Sequence, residues 1–383
     1  MNDLTTFFRT RTVVPIFRPS SLTQSSLVQY LPPLNTNIIV SRTPTPVSGT
    51  SLVLATLLPV SFRCDDRYTS PVLNQGMCGC CYVVSTVSIL ADCINLRDKT
   101  HLYLSITDVL SCLPNCKTYV PDYEMKCRQG NKDLCSNIFL ANSQENVSDQ
   151  CSGGSPYHVC EYIAQKGVPI NDQGFDGDYR WCLTQDRCGP QNHGVVSNCD
   201  LNGLVPSCDS TPRIHHFFLQ NPRFYGIYQN QYSETALQQN QILIKNHILR
   251  TGPVIGQFLV YHNFMSGDFV TPKNPDGIYL DSQDYPNDST IQGANPLVGG
   301  HAVAVIGWGV GSVHSSLLPS TKKKTKNGMT RVPYWVCRNS WGTTWGDHGY
   351  FRIAVYPYNT ISQFDVLRSF SNQQVGGMIG FDV

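Results

Sequence analysis

The chain has 383 residues, with 28 Lys and Arg against 27 Asp and Glu, for a formal net charge of +1. With only 14% of residues charged, there is no electrostatic case for a nucleic-acid partner. Hydrophobic residues make up 41%, enough for a sizeable core, yet no apolar run approaches the ~18 residues that span a bilayer. Sixteen cysteines, most of them between Cys64 and Cys208, suggest disulfides and an oxidising setting. The N-terminus lacks the basic-then-apolar pattern of a secretory signal, so delivery by another route, such as packaging into a virus particle, is the alternative.

Residues 1–57 are rich in Thr, Ser, Pro and Val, and Pro32-Pro33 and Thr43-Pro44-Thr45-Pro46 mark them as extended or loop-like. Leu58 to Phe62 starts the main domain. In residues 71–90, Val83, Val87, Leu90 and Ile94 fall at helix spacing behind a loop carrying Gln75, Gly76 and Gly79. The run is rich in β-branched residues, whose helix propensity is poor, so burial should make it a helix. Cys81 then lies at the helix N-terminus, where dipole and backbone N–H groups favour a thiolate. Taken alone, the Cys78 and Cys81 pair also fits a zinc half-site or a thioredoxin-like redox pair. Cys64 and Cys93 flank this segment and are a candidate bridge.

Leu104 to Cys112 reads as a second helix with Ser105 as N-cap and Asp108 three residues on. A cysteine-bearing insertion with Cys116, Cys127 and Cys135 precedes Cys151-Ser152-Gly153-Gly154, and Tyr157 to Gly167 reads as a short helix closed by its glycine. Residues 174–212 form a cysteine-rich loop region, followed by His215-His216. Glu234 to Leu249 should be helical, and Gly252-Pro253-Val254 turns it into an alternating strand. Val298 to Gly309 is an apolar strand led by His301, a residue able to deprotonate a thiol and reprotonate a leaving amine. Tyr334 to Gly346 holds Asn339-Ser340-Trp341-Gly342. An Asn carbonyl there would orient the histidine, and Trp341 would cover that hydrogen bond.

Three motifs in this order resemble the papain family of cysteine peptidases, nearest to cathepsins B and X: Gln75 through Tyr82, His301 with its apolar strand, and Asn339 through Gly342. The zinc and redox readings give way to that order. Two departures stand out: Tyr82 occupies a usual tryptophan position, and Cys80 replaces a small residue. The interval from Cys81 to His301 also exceeds the usual spacing of about 130–150 residues, the excess lying in insertions that loops tolerate. The resemblance implies an α+β, two-lobed fold, helical over 58–212 and antiparallel β-barrel-like over 213–383, with the cleft between the lobes. It implies Cys81 as nucleophile, His301 as base, Asn339 as its orienter and Gln75 as oxyanion donor. It also implies Gly153, Gly154 and Trp341 beside an extended substrate, and a Cys78–Cys151 disulfide.

No metal or organic cofactor is implied, the partners are protein or peptide substrates, and a monomer is expected. By position, residues 1–57 would be an inhibitory prosegment or a tail, and the family suggests a lysosomal or extracellular setting. Phe364 to Leu367 would floor an apolar specificity pocket. Exopeptidase action, with His215-His216 in a blocking loop, is the alternative to endopeptidase action. A catalytically silent relative with a structural role, or an acyl transferase on the same Cys-His pair, remain the other readings.

Overall fold

A computed structural model describes residues 58–76, 78–113, 150–171, 174, 205, 208, 216–219, 221–228, 234–280, 297–318, 328–355 and 374–383. Residues 1–57, the Cys116 to Cys135 insertion, Cys182 to Cys199, the Lys322 to Lys326 loop and the Phe364 to Leu367 segment lie outside them.

The first helix, α1 (Cys81–Asp98), is buried along Tyr82 to Asn95. Its intrinsic propensity is poor, so enclosure makes it helical. Its hydroxyls are satisfied on its own backbone: Ser85 Oγ donates to Cys81 O (2.8 Å), Thr86 Oγ1 to Tyr82 O (2.7 Å) and Ser88 Oγ to Ser85 O (3.3 Å). Polar residues inside a buried helix therefore leave few unmet donors. Around α1 pack α2 (Ile106–Cys112) and α3 (Pro156–Lys166). Ser105 caps α2 by accepting from Asp108 N at 3.0 Å, and Gly167, at φ 73°, ends α3.

The other half is built on one sheet. Its strands are β1 (Phe62–Arg63), β4 (Asn221–Tyr228), β5 (Val254–Tyr261), β6 (Ile278–Tyr279), β7 (Leu297–His314), β8 (Met329–Arg338), β9 (Tyr350–Ala354) and β10 (Gln374–Asp382). They run in the order β4-β10-β5-β7-β8-β9-β6, with β1 added on β7. The path ends on β4 and β6, so the sheet stays open where a closed barrel-like half was expected. Nor is it wholly antiparallel: the two-residue β6 pairs parallel to β9. A short ribbon of β2 (Val168–Pro169) and β3 (His216–Phe217) stands apart. Helix α4 (Glu234–Arg250) runs into β5 through Gly252, Pro253 and the turn of the chain.

Strand β7 is the axis. Its first half pairs with β5, from Tyr261 opposite Leu297 to Val254 opposite Val305. Its second half pairs with β8, from Ala304 opposite Arg338 to His314 opposite Met329, with a bulge between Val305 and Gly307. At that bulge β1 crosses the strand, and a side chain on Gly307 would run into the Phe62 carbonyl. One sheet face, with Ile255, Ala302, Ala304 and Ile306, packs with the helices in a single cluster. The opposite face buries Phe258, Val303, Val305, Trp308 and Trp335 under α4. Among the described residues no helix is long and apolar enough to cross a membrane.

Two disulfides lie among the described residues, Cys78–Cys151 and Cys112–Cys208. Cys64 and Cys93, expected as a bridge, are both thiols. Each points at a backbone carbonyl instead, Cys64 Sγ toward Ile248 O (3.9 Å) and Cys93 Sγ toward Pro253 O (3.7 Å). Cys80, Cys160 and Cys337 are also thiols and also buried.

Helix α4 carries a buried titratable group, His247, bonded through Nδ1 to Tyr225 Oη at 2.9 Å. Its Nε2 has no partner among the described residues, and burial pulls its pKa down to about 4 from about 6.5. The fold therefore favours the neutral ring: its contribution is whole above pH 6.5 and drains away as pH falls toward 4. The total is on the order of 3 kcal/mol. His247→Phe should flatten the acid dependence of denaturant unfolding between those pH values, at some cost in stability at pH 8. An unchanged acid slope would place the titrating group elsewhere.

Candidate active site

The loop before α1 is shaped by backbone contacts. Cys78 is bridged to Cys151, and Gly79 N donates to Cys151 O at 2.6 Å. A Cβ on Gly79 would stand 2.5 Å from that same carbonyl oxygen, so the approach needs glycine. The loop delivers Cys81 to the first position of α1, after Cys80, which makes no side-chain cap bond. The backbone N–H groups of Ala302, Tyr82 and Cys81 itself lie near the thiol and favour its charged form. Ala302 follows His301 in β7, so the sulfur sits against the strand that carries the histidine.

His301 is 6% exposed. Its Nε2 lies 2.7 Å from Asn339 Oδ1. The proton on this bond can be assigned from chemistry: Asn339 Oδ1 also receives the Ser340 N–H at 2.8 Å. A backbone N–H can only donate, so the amide presents its oxygen on that side, and His301 Nε2 must donate to it. The neutral ring then holds its lone pair on Nδ1. Trp341 lies over the imidazole with centroids 4.7 Å apart, backed by Phe264 and Trp345 at 5.6 and 5.1 Å from Trp341. This shell excludes water from the His301–Asn339 bond.

Ser340 joins the second half of the site. Its Oγ donates to Gln75 Oε1 at 2.5 Å, while Gln75 Nε2 donates to Cys78 O at 2.8 Å. Gln75 N is itself bonded to Ser340 O at 2.8 Å. The Gln75 amide is thus oriented nitrogen toward the Cys78 to Cys81 loop. On the helical side, Gly153 adopts φ 119°, and a Cβ there would meet nothing within 4 Å. Its backbone edges open space. Gly154 is half-buried beside it.

Electrostatics follow from enclosure. Burial pushes the Cys81 thiol up to about 11, while the nearby backbone N–H groups of Ala302, Tyr82 and Cys81 act the other way. Cys81 keeps part of its surface exposed, so solvent tempers that push more than for Cys93 and Cys337, which burial drives well above the ordinary thiol range. Burial also draws His301 down to about 4, with the Asn339 bond acting the other way. Each group alone is therefore neutral at pH 7. Were a proton to pass from the thiol to the imidazole, each charge would offset the other's desolvation.

Gln75, Cys81, His301, Asn339 and Trp341 thus occupy one place, with Cys78–Cys151 tethering the loop. Three contributors went unnoticed in the sequence. Ser340 stood inside the Asn339 motif without a role, and Ala302 acts only through its backbone. Asp92 and Arg338 form a buried ion pair beneath the site. The signal for it was a carboxylate in mid-run of a helix that is otherwise uncharged until Arg97, which demands a partner once buried.

The family profile described as papain family cysteine protease matches residues 58–363. Among curated proteins, the probable cysteine proteinase 024R of Invertebrate iridescent virus 3 is 32% identical over 339 residues, covering 83% of this chain and 59% of its own length. The probable cysteine proteinase 224L of Invertebrate iridescent virus 6 is 29% identical, covering 80% of this chain and 60% of its own length. Cathepsin B-like cysteine proteinase 1 of Haemonchus contortus is 26% identical over 74% of this chain and 63% of its own length. The chain therefore spans less than two thirds of the curated relatives it matches. A solved structure titled proCathepsin B S9 from Trypanosoma congolense aligns with a TM-score of 0.45 and 19% identity, over 88% of this chain and 81% of that one. That likeness is too loose to argue from.

The Gly79 contact yields a direct expectation. Gly79→Ala must displace the Cys151 carbonyl or the loop, costing about 1–3 kcal/mol and moving the first turn of α1. Iodoacetamide labelling of Cys81 should slow and the melting temperature should fall. Unchanged labelling would mean that the loop does not set the thiol's position.

Proposed function

The chain belongs to the papain family of cysteine proteases, and from that premise we propose that it is a cysteine endopeptidase acting through Cys81, His301, Asn339 and Gln75. The observation that carries this reading is the hydrogen-bond network in which Ser340 donates to both Gln75 Oε1 and Asn339 Oδ1, and His301 Nε2 donates to that same Asn339 oxygen. It leaves the Nδ1 lone pair to the thiol, the one arrangement in which the imidazole serves as base.

In this mechanism the Cys81 proton passes to His301 Nδ1 and the sulfur attacks the scissile carbonyl carbon. The resulting oxyanion receives the Cys81 backbone N–H and the Gln75 side-chain N–H. Imidazolium returns its proton to the leaving amine as the C–N bond breaks, giving a thioester. Water, deprotonated by His301, attacks the thioester and releases the carboxylate, restoring the thiol. Asn339 holds the ring in its Nε2–H tautomer throughout, and Trp341 keeps that bond dry. An extended peptide would lie along Gly153 and Gly154, where the absence of a Cβ and the open space let backbone meet backbone.

Endopeptidase action is favoured by the place of the chain at His216. The strand holding His216 is paired with Pro169 in the β2–β3 ribbon, next to the N-cap of α2, where Ser105 N bonds Pro169 O. That tether argues against a role as a lid on the cleft. Residues 1–57 precede the family match and would act as an inhibitory segment.

An epoxysuccinyl peptide should alkylate Cys81 alone, read by mass spectrometry, and Cys81→Ala should abolish both adduct and turnover. Removal of residues 1–57 should accelerate labelling. Gln75→Ala should lower kcat by roughly 10²-fold. A peptide blocked at both ends should still be cut internally. An intact protein that takes no label and cuts no peptide would sink the peptidase reading. Label on Cys80 would name the wrong thiol, and cleavage only of peptides with a free terminus would make it an exopeptidase.

A further inference from the structure

Arg338 is the last residue of β8 and stands immediately before Asn339. Its side chain is 4% exposed, and that of its partner Asp92, in the middle of α1, is 0% exposed. Arg338 Nη2 donates to Asp92 Oδ2 at 2.8 Å and to Ser88 Oγ at 3.3 Å, and Nη1 donates to Ser70 O at 2.7 Å. Asp92 Oδ1 accepts from Ser70 N (2.5 Å) and Ser70 Oγ (2.6 Å). The guanidinium therefore binds the strand end to α1 and to the segment that leads into the Gln75 loop.

Both ends of this clamp lead to the site. On the helix, Ser88 Oγ donates to Ser85 O, and Ser85 Oγ donates to Cys81 O, so the bonded stretch ends on the residue bearing the thiol. On the strand, the Asn339 amide is held from one side only. Its Oδ1 accepts from His301 Nε2 and Ser340 N, while its buried Nδ2 has no partner among the described residues. Asn339 also lines a cavity of about 10 Å³ with Ser85, Ser88, Arg338 and Ser340, so on that side there is space of about one water rather than a packed side chain. Its fixed position has to come from the backbone on which it stands. If holding the two halves together were the only requirement, apolar residues of similar volume would serve as well or better than a buried ion pair.

We propose that Arg338 is a positioning residue: pinned from α1 by Asp92, it fixes the backbone beneath Asn339 and so sets the imidazole of His301 against the thiol of Cys81. This rests on the cysteine peptidase reading above. A purely structural Arg338 would affect the fraction of folded protein. A positioning Arg338 affects the rate of each folded molecule and the tautomer of its histidine.

The test compares full-length Arg338→Met, Arg338→Lys, Asp92→Asn and Arg338→Met combined with Asn339→Ala. Val313→Ala, buried in a separate cluster with Ile278 and Val332, serves as a destabilised control. Turnover is expressed per labelled Cys81 thiol, and ¹⁵N NMR of the imidazole reports the tautomer. Arg338→Met should lower kcat per thiol by at least roughly tenfold with KM little changed, and should convert the Nε2–H ring to a mixture. Arg338→Lys should recover part of the loss. Asn339→Ala should add little on top of Arg338→Met, because both act through one amide. Val313→Ala should melt lower with unchanged kcat per thiol.

Wild-type kcat per thiol and an unmixed tautomer in Arg338→Met, or losses that multiply in the double variant, would overturn the proposal. Should Arg338→Met not fold, Ser88→Ala carries the same measurements with the ion pair in place. A fall of about two- to threefold in kcat per thiol would then support positioning, and none would refute it. Were wild-type protein to cut no peptide at all, the peptidase reading would fail by itself. The tautomer measurement would still decide whether Arg338 orients the ring.

Discussion

Two charges with almost no access to water, Asp92 and Arg338, hold the helix of the thiol to the strand that leads to Asn339. Separated by most of the chain's length, they could meet only after the sheet and the helices had closed on one another. Such a pair adds little net stability over an apolar contact, but losing one partner strands the other charge at a cost of about 3–5 kcal/mol. The interface between α1 and β8 therefore tolerates few other arrangements. Ser70 and Ser88 complete the bonding, so the pair acts as a directional joint. A greasy contact could slide by an ångström; this one cannot without breaking several bonds.

Directionality carries on from there into the site. A backbone N–H, from Ser340, decides which way the Asn339 amide faces, and the amide decides which nitrogen of His301 holds the proton. Ser340 also sends its hydroxyl to Gln75. One serine thus couples the proposed orienter of the base to the proposed oxyanion donor. The aromatic shell of Phe264, Trp341, Trp345 and Phe351 lowers the dielectric around these bonds and strengthens each of them. The same enclosure discourages isolated charge, and so Cys81 rises and His301 falls in pKa. Neutral partners that exchange a proton on demand suit a reaction in which charge must appear and vanish.

Much of this was legible without coordinates. Periodic Val83, Val87, Leu90 and Ile94 announced a buried helix, and α1 spans Cys81–Asp98. The Ser105 cap, the glycine stop at Gly167 and the passage from α4 into β5 were written in local residue choice, because caps and turns depend on nearest neighbours. The order of the cysteine, histidine and asparagine motifs named the family. Cysteine pairing was not legible in the same way. Cys64 and Cys93 were sensible partners by position, yet each thiol faces a carbonyl, and Cys112 found Cys208 far along the chain.

The sequence by itself determined the local elements and the chemical types of the site, since both are encoded in residues close together or in motifs of fixed wording. Tertiary structure alone decided the open sheet with its parallel edge at β6 and the tautomer of His301. It alone decided the role of Ser340 and the clamp between Asp92 and Arg338. Each of these depends on a contact between segments distant in the chain. Such contacts leave no periodic trace; a carboxylate in the uncharged stretch of a buried helix signals that a partner exists without saying which residue it is.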